Sequence, residues 1–471
     1  MGVMAAPTAS GIVTSKLKRR IVVVGKFPPI QGGTSSSTFW ATVALATAGF
    51  EVHVVTNSDQ ISPTFRQRLL TADKHFVSNE LRDLGIFVHQ VNPVRDGEYI
   101  PWAQPFLTAM LGRLLSLTND ISPECLLGWY LEPYGLAAAI AGSLRGIPVA
   151  FRHAGSDFGR LLKHQELRHS YDWALKSCSC VVASRSHLGY LSDLAISSDK
   201  LCMSDAPRLP APFLKPTFGF EMADYEGEFH PWFIEARLGM APPKSLVVHN
   251  EKRINIGLFG KIGTFKSTEQ IVEALGKLAS DGIDFELQSA VTGHRHHLKS
   301  FFTSIIKQPS LLERTTFLPP LPPWRMPGFL KQLDCVLYLE NHFPIENHSP
   351  LIPREVLSSG ACLICSREIA NKFRYRESLE HAKNVVIVER PDSTECVVES
   401  LRLLLQNPEN IRLIGRHGQY LSHFIENEKQ HEHPALAWIQ HAIKNYSNAA
   451  PARLSAFSKC DGSVERPPSI S

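Results

Sequence analysis

Short, uninterrupted apolar runs alternate along this chain with longer stretches of helical spacing. Ile21, Val22, Val23 and Val24 are apolar in succession, as a strand is when both faces of a parallel sheet are covered. A loop over 28–34 follows, carrying Pro28, Pro29, Gly32, Gly33 and Thr34. Spacing then predicts a helix over 35–48 and a second strand over 51–56, one βαβ unit with a right-handed crossover. Further strands are predicted at 86–91, 125–130, 148–151 and 180–183. The rhythm fails over about 209–250, where Pro210, Pro212, Phe213, Pro216, Phe218, Phe220, Pro231 and Trp232 crowd together. It resumes at Arg253, with strands predicted at 254–259, 284–290, 316–318, 335–339, 361–365 and 385–388, and a last helix over 434–446.

This alternation predicts an α/β protein of two doubly wound domains. The segments are a flexible leader over 1–18, an N-terminal domain over 19–210, a linker with insertions over 211–250, a C-terminal domain over 251–426, a C-terminal helix over 427–448 and a disordered tail over 449–471. Two such domains should place the C-terminal ends of both sheets at a shared cleft.

Composition narrows the classes. With 44% hydrophobic residues, 20% charged and a net charge of +4, the chain is ordinarily globular and too weakly basic to argue for nucleic acid. Its nine cysteines are odd in number and scattered, which fits a reducing compartment better than a disulfide framework. Cys362 and Cys365 match CxxC but lie within an apolar run, so a place in the core is expected. No run of 18 apolar residues occurs. The cluster Lys16, Lys18, Arg19 and Arg20 follows weakly apolar residues instead of preceding them, unlike a signal peptide. A cytoplasmic protein is expected. No acid precedes Glu51, and peripheral contact with an anionic membrane face is the alternative to a solvated leader.

Candidate chemistry lies where predicted strands end. After the run from Ile256, Gly260, Lys261, Gly263 and Lys266 stand in a turn that leads into a helix. Glycines allow close backbone approach, a helix start offers unpaired N–H groups and lysines add charge, a pattern suited to a diphosphate. The plainer reading is a βα turn with solvated lysines. Three other segments fall at strand ends: Gln31 with Gly32, Gly33 and Thr34; Arg152 with His153, Gly155 and Asp157; and the stretch from Glu346 and Asn347 through Glu355 to Gly360.

In this order the four segments resemble the retaining glycosyltransferases of family four, the group 1 glycosyltransferases, over roughly residues 20–425. The resemblance implies a GT-B fold, with two Rossmann-like domains facing a central cleft. It also implies a nucleotide-diphosphate-sugar donor, a glycan or lipid-linked acceptor, and neither metal nor cofactor. Gly32, Gly33, Thr34 and Gly260 would then approach the donor. Lys261 stands where the family usually has arginine, Lys266 matches the family's lysine, and both would neutralise the leaving diphosphate. An ammonium at position 261 cannot grip phosphate in the bidentate manner of a guanidinium. Lys266→Ala is accordingly expected to weaken diphosphate binding while leaving the fold intact. The family's two acids are separated by seven residues. Glu355 fits the second, which holds the ribose hydroxyls; Asn347 then falls at the first, sugar-contacting position, with Glu346 one residue away. His153 and Asp157 fall in the family's catalytic segment.

Structural alternatives stand beside these roles. His153 and Asp157 can be read as a loop hydrogen-bond pair, and Glu355 as an acid favouring a helix N-terminus. His294, Arg295, His296 and His297 look like a metal cluster, but no acid or cysteine is close in sequence and the following helix is expected to face solvent. The rival functions are a nucleotide-sugar epimerase of the same fold and a non-catalytic two-domain binding protein.

Overall fold

A computed structural model of the protein describes residues 18–92, 106–184, 187–203, 209–215, 219–225, 228, 253–344, 350–373, 375–427 and 433–457. In the N-terminal lobe β1 (Arg20–Val24), β2 (Glu51–Thr56), β3 (Ile86–Gln90), β4 (Cys125–Trp129), β5 (Val149–Arg152), β6 (Cys180–Ala183) and β7 (Leu201–Met203) form one sheet in the order β3-β2-β1-β4-β5-β6-β7. The C-terminal lobe holds β8 (Ile254–Lys261), β9 (Phe285–Thr292), β10 (Thr315–Phe317), β11 (Cys335–Tyr338), β12 (Cys362–Ser366) and β13 (Val386–Val388), in the order β10-β9-β8-β11-β12-β13. Every pairing is parallel.

Twelve of these strands lie at or within two residues of the expected bounds. The exception, β7, is a three-residue edge strand whose residues are only half-buried or exposed, so no apolar run announces it. β8 extends to Lys261 because its ladder with β9 continues to the Lys261–Thr292 pair. Cys362 and Cys365 project to opposite sides of β12 into different parts of the core. Burial pushes both thiols up to about 12, which leaves them inert.

The helices that bear on the cleft are α1 (Gly33–Thr47), α2 (Ser156–Arg160), α3 (Thr268–Ser280), α4 (Arg295–Ile306), α5 (Ile352–Ser359), α6 (Arg367–Lys372), α7 (Pro408–Asn427) and α8 (Ala435–Phe457). Strand order reverses beside β1 in one sheet and beside β8 in the other. Connections leave such a point in opposite directions, which opens a crevice at the C-terminal ends of the flanking strands. The loops after β1 and β4, and those after β8 and β11, therefore form the two walls of the candidate site.

Among the contacts that join the lobes, two bury large aromatic side chains. α8 returns to the N-terminal lobe, where Trp438 meets Trp129 with ring centroids 5.7 Å apart, and Ala435, Ile439 and Ala442 complete the core. This helix runs to Phe457, so residues 449–457, expected in a disordered tail, are helical. Trp324, beyond β10, is fully buried. Its ring lies 5.1 Å from that of Phe39 on α1 and 5.0 Å from that of Phe76. The indole Nε1–H donates to the buried carboxylate of Asp73 at 2.7 Å, and Arg325 Nε donates to the same oxygen at 2.8 Å. Among the described residues no helix is long and apolar enough to cross a membrane.

Candidate active site

The N-terminal wall begins at Gly32, whose φ of 108° lies where a side chain is strained and glycine is not. A Cβ at Gly32 or Gly33 would meet nothing within 4 Å, so the glycines here serve backbone conformation and access instead of packing. α1 starts at Gly33 with no side-chain cap and no acid in its first turn, which leaves Thr34 and its neighbours facing the cleft with the positive end of a fifteen-residue helix.

His153 and Asp157 do not pair with each other. Asp157 is fully buried and accepts from the N–H groups of Leu131 at 3.1 Å, Ala154 at 3.0 Å and Phe158 at 3.0 Å. Burial raises this carboxyl to about 6 against the pull of those donors. These bonds tie Asp157 to the loop that carries His153. His153 is stacked on Phe158 at 4.8 Å and meets His187 edge-on at 4.6 Å. Its Nδ1 accepts from Gly155 N–H at 3.1 Å, so the ring proton is on Nε2, which is buried without a partner. Burial, then the charges of Arg152 and His187, push it down to about 2. Burial thus favours the neutral ring, with Nε2–H as a hydrogen-bond donor.

The C-terminal wall is the turn after β8. Gly260 has φ 84°, where a side chain is strained, and a Cβ there would come within 2.7 Å of the Ile352 Cδ1 methyl on α5. Gly263 N–H donates to Thr268 Oγ1 at 3.0 Å, tying the turn to α3. Lys261 is exposed at the strand end. Burial and Arg160 hold its ammonium below the usual range. Lys26, after β1, lies 4.7 Å over the Tyr130 ring; burial lowers it, Asp157 opposes this, and Lys261 and Arg160 lower it further. The charges of the two lobes therefore act on each other.

Lys266 is placed differently from the expected free charge. Its ammonium pairs with Glu340 and donates to the Tyr338 hydroxyl at 3.0 Å. It lies 4.6 Å from the Tyr338 ring centroid and 4.7 Å from that of Phe343. Glu340 is fully buried, and its second oxygen accepts from Lys372 at 3.0 Å. Lys26, Arg160, Glu340 and Lys372 were not foreseen from the sequence. The only sequence signal for Glu340 was a charge at the end of an apolar strand.

Glu355 lies in the first turn of α5, which Arg354 anchors by donating to Glu426 on α7 at 2.7 Å. The Glu355 carboxyl makes no hydrogen bond or ion pair among the described residues, and burial raises it to about 7. Because this exceeds the ordinary carboxylate range, the fold binds a proton that the unfolded chain releases, and the stability it retains below about pH 4.5 declines as pH rises through 7. Glu355→Gln is expected to raise the melting temperature at pH 8 and leave it unchanged at pH 4.5. If the carboxylate holds a ribose diol, wild-type donor affinity should also rise with pH through 7 and this dependence should vanish in the variant. Calorimetry of both proteins at the two pH values checks each part. Glu346 and Asn347 lie outside the described residues.

The histidine-rich segment caps α4. His294 and His296 are exposed, and His297 is half-buried with its ring beside Gly263. The expected solvent-facing helix instead buries Leu298, Phe301, Phe302 and Ile305. Among the described residues no group of three or more histidines, cysteines and acids is placed to hold a metal ion.

Residues 35–185 match the family described as Glycosyl transferase 4-like. No curated protein sequence matches the chain. In structure the chain is similar to HepE of Anabaena, solved with UDP-glucose, with a TM-score of 0.54 at 13% identity over 91% of this chain and 99% of that one. It is also similar to sucrose-phosphate synthase of Thermosynechococcus elongatus, with a TM-score of 0.52 at 15% identity over 93% and 99%. A glycosyltransferase of Rickettsia africae gives 0.51 at 11% identity over 92% and 98%. The chain has the GT-B fold, and its N-terminal lobe carries the glycosyltransferase 4-like sequence, in agreement with the resemblance read from the four motifs.

Proposed function

We propose that this GT-B protein is a retaining glycosyltransferase that moves a sugar from a nucleotide-diphosphate sugar to a glycan or lipid-linked acceptor in glycan, glycolipid or polysaccharide synthesis. The observation that carries the reading is the cationic cluster drawn from both lobes. Lys26 and Arg160 on one wall and Lys261 on the other act on one another's charge beside the glycine turns at Gly32 and Gly260. The UDP-glucose bound to HepE of Anabaena supports the donor class.

Departure of a nucleoside diphosphate from an anomeric carbon builds negative charge on the leaving group and oxocarbenium character on the sugar. Lys26, Lys261 and the first-turn N–H groups of α1 would stabilise that leaving charge, so the reading needs no metal. His153 Nε2–H would hold a sugar hydroxyl and Glu355 the ribose. Closure of the lobes would exclude water. The enzyme would act in the cytoplasm, with membrane contact where the acceptor is lipid-linked.

Calorimetric titration with UDP-, GDP- and ADP-sugars tests donor binding, and transfer followed by NMR reads the anomeric configuration. Absence of binding refutes the proposal, inversion removes the retaining assignment, and acceptor-independent epimerisation selects the epimerase. His153→Ala is expected to lower kcat/KM roughly tenfold, the loss of about one hydrogen bond, while nucleoside-diphosphate affinity holds. Steady-state kinetics beside titration with the free nucleotide checks this split.

A further inference from the structure

An ammonium has three N–H donors. In Lys266 one goes to Glu340 and one to the Tyr338 hydroxyl, and the two aromatic rings enclose it further. The third donor lies outside these two bonds. Glu340 is held as firmly. Its backbone N–H donates to Ser366 Oγ at 3.0 Å, its side chain binds both Lys266 and Lys372, and Lys372 also pairs with Glu368 on the same helix, α6. Lys266 is thus already paired with a buried carboxylate where it meets the cleft.

The position of the network gives that pairing a consequence. Lys266 follows β8 and Glu340 follows β11, the neighbouring strands at the point where the C-terminal sheet reverses order. A buried carboxylate therefore stands against one of the two lysines of the expected phosphate turn. We infer that Glu340 is a positioning residue that competes with the departing diphosphate for Lys266 and thereby drives product release. The inference rests on the donor-site reading proposed above.

The competition discriminates between substrate and product. A sugar nucleotide carries a diphosphate esterified at both ends, whereas the released nucleoside diphosphate gains about one further negative charge as its terminal phosphate ionises. A carboxylate in a poorly solvated wall repels the more highly charged species more strongly. Glu340 thus opposes retention of product more than binding of donor, while Lys26 and Lys261 supply the attraction both share. Lys372 moderates the effect, because the share of Glu340 that it engages is not drawing on Lys266.

The test is calorimetric titration of UDP, GDP and ADP into the full-length protein. Glu340→Gln preserves side-chain size and removes the charge; it is expected to bind the product nucleotide about tenfold more tightly, the usual difference between a charged and a neutral competitor. Affinity for the sugar nucleotide should rise less, and kcat should fall as product inhibition strengthens. Lys372→Met removes a cation that draws Glu340 away from Lys266, and product affinity should fall. A folded Glu340→Gln that binds product no more tightly than wild type overturns the inference. So does a Lys372→Met that binds product as wild type does, which keeps the question open to refutation if Glu340→Gln does not fold. Failure of the wild type to bind any of the three nucleotides refutes the donor-site reading instead.

Discussion

Lys266→Ala is expected to destabilise the C-terminal lobe as well as weaken donor binding. Removing one partner of a buried ion pair leaves the other charge uncompensated, at a cost of about 3–5 kcal/mol. Glu340 is fully buried and keeps Lys372, which places the expected cost near the lower end. For a lobe of this size a melting point about 6–12 °C below wild type follows. Scanning calorimetry measures it, and Lys266→Ala combined with Glu340→Leu should recover most of the stability without recovering nucleotide affinity. A Lys266→Ala protein that melts with wild type would show the pair to be dispensable. The expectation of an intact fold, which treats Lys266 as a charge in a turn and nothing more, is thus replaced. A lysine at a phosphate loop usually faces water, whereas this one has its counterion in the protein.

Trp324→Ala is expected to uncouple the lobes. The indole is fully buried among Phe39, Phe76 and Asp73, all from the other lobe. Truncating a buried tryptophan costs about 3–5 kcal/mol, through the apolar surface no longer buried and the cavity left behind. Here the cavity would open at the junction, and Asp73 would be deprived of one of its donors. Wild type should unfold in one calorimetric transition and the variant in two. Donor affinity should fall with it, because Trp324 packs on Phe39 of α1, the helix that begins at the Gly32 turn. Trp324→Phe, which keeps most of the volume and removes the indole N–H, should retain a single transition and be less stable by about 1 kcal/mol. A single unchanged transition in Trp324→Ala would place the coupling elsewhere, in α8.

The strands were legible because a parallel sheet covered on both faces leaves no polar position to interrupt its runs. β1 is buried at Ile21, Val22, Val23 and Val24, β4 at all five positions, and these runs are visible without any neighbour. β7 was not legible for the opposite reason: its three residues are only half-buried or exposed. The glycine turns were legible too, since Gly32 and Gly260 answer to local backbone demands that a few adjacent residues express.

Charge was not legible in the same way. Along the chain Lys266, Glu340 and Lys372 are far apart, and nothing in the spacing of any one of them marks a partner. The pairing of β8 with β11 brings the first two together, and Ser366 at the end of β12 seats Glu340 beside α6. His153 and Asp157 are four residues apart, and a hydrogen-bonded pair was the structural alternative; the fold turns one toward backbone amides and leaves the other's Nε2 unpartnered. Two α/β lobes, their order and their glycine turns could be read along the chain, because hydrophobic periodicity and backbone conformation are local properties. Only the tertiary structure decided which charges are free and which are already answered, because electrostatic interaction and desolvation depend on distance in space and not on separation along the chain.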